Sequence, residues 1–120
     1  MIKYIKSLSV FFVMLSSHLY STNYTSNNNG NWTSLSTWIP IGIPASGDSI
    51  IIIHHVILDT NFICTSGSIT INAGGSLIQD SVNRFISVSG GDSTVFTNYG
   101  VIEVDSLYNR GKMYNEIGGI

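Results

Sequence analysis

The chain has 120 residues with five Lys and Arg against seven Asp and Glu, for a formal net charge of −2. Such a balance excludes a basic nucleic-acid-binding surface, because phosphate backbones are held by clustered cations. One cysteine, Cys64, excludes a disulfide framework within the chain.

The first residues have their own pattern. Lys3 and Lys6 give a positive start, Leu8 to Leu15 is an almost unbroken apolar run, and the small residues Ser16, Ser17 and Ser21 follow. That order predicts a secretory signal peptide over residues 1–21, cleaved after Ser21 or, alternatively, Ser17. The apolar run is short of the roughly 20 residues that span a bilayer, so no stable membrane span is expected once the signal is removed. Removal of Lys3 and Lys6 leaves Arg84, Arg110 and Lys112 as the basic residues, with every acidic residue retained.

Thr22 to Asn31 is polar and without periodicity, and is expected to be a linker or poorly ordered lead-in. Trp32 and Trp38 follow, and Pro40 and Pro44 then bracket Gly42, which rules out a long helix. From Ser46 onward, short apolar runs alternate with Gly, Asn and Asp. The runs include Ser49-Ile-Ile-Ile-Ile53, Ser68-Ile-Thr-Ile71, Arg84 to Ser89, Ser93 to Thr97 and Gly100 to Val104. Runs of this length with turn residues between them predict an all-β domain over residues 32–120. About 100 residues are enough for one domain with a core.

A weak repeat is visible. Asn98-Tyr-Gly-Val-Ile102 is answered 11 residues later by Asn109-Arg-Gly-Lys-Met113. Half-units of this size suggest a β-solenoid whose corners carry Asn or Gly, residues that accept positive φ at low cost. The two tryptophans would cap such a stack at its amino end. The carboxyl end carries no cap pattern, from which the chain is expected to be the amino-terminal piece of a longer protein.

Gly30 to Val104 resembles the opening of many secreted proteins of Bacteroidota, a class that commonly ends in a type IX sorting domain. The residues that carry the resemblance are Trp32, Trp38, Pro44, Gly47-Asp48, Leu58-Asp59 and the Gly-Gly-x-Leu step at Gly74 to Leu77. The same set is similar to the glycine-rich extracellular "G-eight" domain. The resemblance implies a right-handed parallel β-helix in a secreted or cell-surface protein, and it assigns no catalytic residue. The matching sorting domain is absent from this chain.

Candidate chemistry is sparse. His54 and His55 are adjacent, and neighbours in a strand point to opposite faces, so the pair is not expected to share a metal. If Ile50 and Ile52 face inward, so does His54, while Ile51, Ile53 and His55 face outward. Asp48 and Asp59 border strands and are expected to cap turns. Glu103 and Asp105 share a strand face and are read as a solvated outer surface near Arg110 and Lys112, with a glycosidase pair as the sharper alternative. Cys64 is read as a small packed hydrophobe. Trp32 and Trp38 are expected to bury as a cap; exposed, they would be the candidate carbohydrate contacts. No catalytic, cofactor-binding or metal-binding residue is assigned. The expected role is structural or adhesive, with polysaccharide or other surface proteins as partners. The alternatives are a carbohydrate-binding or polysaccharide-degrading β-helix whose active turns lie outside this chain, and a free-standing β-sandwich binding module.

Overall fold

The computed structural model describes residues 21–116 and 118–120, so the signal-like segment lies outside the described residues apart from Ser21. The fold is all-β. Among the described residues eleven strands run in chain order: β1 Asn23–Ser26, β2 Gly30–Asn31, β3 Trp38–Ile39, β4 Ser49–Ile52, β5 His55–Leu58, β6 Phe62–Cys64, β7 Gly67–Ile71, β8 Ser76–Gln79, β9 Phe85–Asn98, β10 Val101–Glu103 and β11 Ser106–Asn115. A single 3-10 turn, Leu35–Thr37, is the only helical element among the described residues. No helix there is long and apolar enough to cross a membrane.

The strands form two sheets. The first has the order β11-β9-β7-β4-β1-β3, with β6 also paired to β9; the second has the order β10-β8-β5-β2. Every pairing is parallel except β1 with β3. The chain therefore passes from one sheet to the other and back, and each pass lies in parallel register on the one before. Ser49 pairs with Ser68, 19 residues on, and His55 with Ser76, 21 residues on.

Period-two alternation explains which side of each strand is buried. Ile50 and Ile52 are fully buried, whereas Ile51 and Ile53 on the opposite parity are exposed. The register then stacks inward residues into columns. Ile50, Ile69 and Phe96 form one, and Val56 and Leu77 another. Burial of each such side chain contributes about 1.5–3 kcal/mol.

Three local expectations change. Residues 22–31, expected to be a lead-in, contain β1 and β2. Their polar side chains carry no apolar period, but parallel pairing with β4 and β5 needs only the backbone. The two runs on either side of Ser89-Gly-Gly-Asp-Ser93 are one strand, β9, bent at Gly90 and Gly91. Its first part pairs with β6 and its second with β7. A Cβ at Gly90 would strike the Thr65 carbonyl, so only glycine admits this approach.

The third change concerns the repeat. Asn98 and Asn109 do not mark equivalent corners, because Asn98 pairs with Asn115 while Asn109 pairs with Val88. What repeats is a local turn. The Gly100 N–H donates to Asn98 Oδ1 and the Gly111 N–H to Asn109 Oδ1, each at 3.0 Å. Asn-x-Gly thus encodes the same side-chain-to-backbone bond twice.

Candidate functional site

Four groups of residues drew attention in the sequence: the histidine pair, the tryptophans, the carboxylates and Cys64. The structure separates them.

His54 and His55 sit at the bend where the chain leaves β4 and enters β5. His54 is half-buried and His55 exposed, matching the expected parity. His54 Nδ1 lies 2.9 Å from the Ser26 carbonyl oxygen, an acceptor only, so Nδ1 carries the proton. Ser26 Oγ in turn accepts from the Ile53 and His54 N–H groups at 2.8 and 3.1 Å. The bend is thereby fastened to the preceding pass. His55 turns the other way, and its Nδ1 lies 2.7 Å from Ser76 Oγ on the following pass. The two imidazoles serve different neighbours, and no His, Cys, Asp or Glu trio among the described residues is placed to hold a metal ion.

Trp32 and Trp38 are each 1 % exposed. Their rings meet edge-on at 5.3 Å, and Trp32 also packs against Phe62 at 4.7 Å. Trp38 Nε1 donates to the Trp32 carbonyl at 2.8 Å, satisfying the indole in a dry setting. Burial of Trp32 and Trp38 matches the expected cap, and the carbohydrate contact named as the alternative for exposed rings does not apply to them. Stacking on a sugar needs an open ring face, and neither ring presents one.

The carboxylates act as fasteners between passes. Asp48 accepts from the Thr22 N–H and the Ala45 N–H, both at 2.8 Å. Asp59 accepts from the Thr33 N–H at 3.0 Å and from the Thr33 hydroxyl. Asp105 accepts from Gln79 Nε2 at 2.9 Å and from the Asn83 N–H, while its own N–H donates to Gln79 Oε1 at 2.8 Å. These donors, Gln79 first and the Asn83 amide second, hold the Asp105 carboxyl below its ordinary pKa. Asp80 is lowered chiefly by the Arg84 guanidinium, which it meets at 2.7 Å. Asp105 is thus engaged by structural donors, and it lines one open concavity with Glu103 and Asp80. The expected adjacency to the strand of Arg110 and Lys112 is revised, because β10 and β11 belong to different sheets, and Lys112 approaches Asp92 at 3.3 Å.

Cys64 is buried, and its thiol donates to the Ser66 carbonyl at 3.1 Å. Burial pushes the thiol pKa up, which disfavours the thiolate.

Sequence reasoning missed a concave feature that gathers residues from several passes. An open groove of about 510 Å³ runs across the outer side of the second sheet beside the corner that follows β7 and β9. His55, Ser76, Ile78, Tyr99 and Val101 line it together with glycines of that corner. His55, Ser76 and Val101 share one register row across β5, β8 and β10. Nothing in the sequence spacing links them, because successive passes differ in length. No family model, curated protein or solved structure matches the chain.

Proposed function

We propose that this chain is a segment of a right-handed parallel β-helix in a secreted or cell-surface protein, where it has a structural or adhesive role. The parallel ladders that stack pass upon pass in both sheets carry this reading. The right hand follows from the strong preference of parallel crossover connections for that sense. The resemblance of the Trp-Trp-Pro-Gly-Asp-Leu-Asp set to Bacteroidota secreted proteins and to the G-eight domain supports the extracellular setting. The signal-like residues 1–21 support it independently.

The side chains with catalytic potential favour a scaffold. Asp48, Asp59 and Asp105 spend their oxygens on neighbouring passes, and His54 is bonded back to Ser26. The partners in this reading are polysaccharide or other surface proteins. Carbohydrate recognition stands as the second reading, favoured by the open groove beside Tyr99.

Expression of the full chain with an epitope tag in a Bacteroidota host tests the setting. The tag is expected in the medium or at the surface of intact cells, accessible to added protease. Retention of an uncleaved chain inside the cell contradicts the proposal. A crystal structure tests the hand of the coil directly.

A further inference from the structure

We infer that the groove along β5, β8 and β10 binds a neutral, linear polysaccharide, with Tyr99 as the stacking platform and His55 as a hydrogen-bonding contact. The inference rests on the adhesive reading above and gives it a ligand class.

Four observations carry it. The first is the wall. Tyr99 is 42 % exposed and lines the groove, whereas Trp32 and Trp38 are each 1 % exposed. Aromatic faces pack against the C–H side of a sugar ring, and the phenol supplies a polar end for its hydroxyls. Ile78 and Val101 add apolar surface beside it.

The second is a fixed polar group. His55 is exposed, and its Nδ1 is held at 2.7 Å by the hydroxyl of Ser76, itself 4 % exposed. With Nδ1 occupied, Nε2 is left to bond a ligand hydroxyl. Ser76 here is a positioning residue.

The third is the bare corner. A Cβ at Gly75 would meet the Ile52 carbonyl, and one at Gly100 the Gly75 carbonyl. The passes approach too closely for a side chain at these two positions, so Gly75 and Gly100 contribute only backbone to the groove. The lining follows the stacking direction, because His55, Ser76 and Val101 belong to adjacent strands about 4.8 Å apart. A groove that crosses strand after strand suits an extended polymer.

The fourth is charge. Among the described residues, no Asp, Glu, Lys or Arg lines this groove. A uronate or sulfated polymer would find no cation here on a net acidic chain, whereas an uncharged glycan has no charge to desolvate.

Calorimetric titration of the full chain with cellohexaose, mannohexaose, chitohexaose and hexagalacturonate tests the inference. At least one neutral hexaose is expected to bind, and more tightly than the uronate. Tyr99→Ala should weaken that binding about tenfold, His55→Ala less, and Tyr99→Phe should retain most of it. Circular dichroism and tryptophan fluorescence check that each variant keeps its β-sheet and its buried indoles. Three results would overturn the inference: no neutral hexaose binds a natively folded chain, the uronate binds at least as tightly, or Tyr99→Ala binds as well as the parent. A folded, surface-located chain that ignores all neutral hexaoses would remove this ligand and leave the scaffold reading standing.

Discussion

The two ends of the stack use the same columns of residues and finish them differently. At the amino end, β3 runs antiparallel to β1 and covers its edge. Behind it Trp32, Trp38 and Phe62 interlock, with Tyr24 edge-on to Trp38 at 6.4 Å. A two-residue strand of opposite direction cannot template further parallel pairing, so this end is protected as edges generally must be. At the other end β11 is the outermost strand of its sheet. The columns become shallow there. Ile102, Leu107 and Met113 are only partly buried, although their register partners Leu77, Ile86 and Phe96 are completely covered. An inward-facing position is therefore worth what its neighbouring passes make of it. Identical parity gives a core residue in the middle of the stack and a half-solvated one at its margin.

That contrast can be broken most sharply with truncations at the two ends. Trp32→Ala should cost about 3–5 kcal/mol, because it empties an aromatic cluster that cannot collapse around the gap. Met113→Ala, in a column that is already half open, should cost about 1 kcal/mol. Urea denaturation of both variants measures the difference, and equal losses would mean that the amino-terminal cluster is no more a cap than the far end.

A smaller effect is expected at the corner where the ends of the sheets meet. Asn98 is fully buried, its amide donates to Asn115 Oδ1 and to the Ile120 carbonyl, and its oxygen accepts from Gly100. Asn98→Ala leaves those partners without it and should cost about 1–3 kcal/mol in the same assay. Asn115→Ala, on the exposed side of the pair, should change stability by no more than about 0.5 kcal/mol.

The smallest effect is electrostatic. Asp80 and Asp105 have folded-state pKa values below the ordinary 3.8, through Arg84 and Gln79 respectively. A depressed carboxyl stabilises the fold fully above its unfolded pKa, and that contribution fades as pH falls through about 4 toward the folded value. Melting temperature should therefore drop modestly between pH 5 and pH 3. The double variant Asp80→Asn with Asp105→Asn should show a shallower drop. Both groups are solvent-exposed, so a large change would point to carboxylates elsewhere.

Much of the fold was legible because inward parity survives in the side chains. Ser68 to Ile71 alternate as their burial does, while the isoleucine run Ile50 to Ile53 marks a strand without marking its inward side. The strands that escaped notice had little side-chain signal. Asn23–Ser26 is held by the backbone of β4, and Phe62–Cys64 is too short to show a period. Capping by Asp48 and Asp59 was legible from their place beside strands. Their reach to Thr22 and Thr33, 26 residues away, was not. The groove could not be read at all, since passes of unequal length bring His55, Ser76 and Val101 into one row only after folding. The histidine pair illustrates both limits. Parity predicted its opposed faces, and only the register revealed that one ring is tied to Ser26 and the other to Ser76.

Residue-by-residue amide hydrogen exchange tests the stacked arrangement most directly. Strands paired on both sides, β1, β4, β5, β7, β8 and β9, should hold their amides longest, and β11, paired on one side, should exchange faster than β9, the other long strand. Uniform protection along the chain, or β11 protected as strongly as β7, would contradict a stack closed at one end and open at the other.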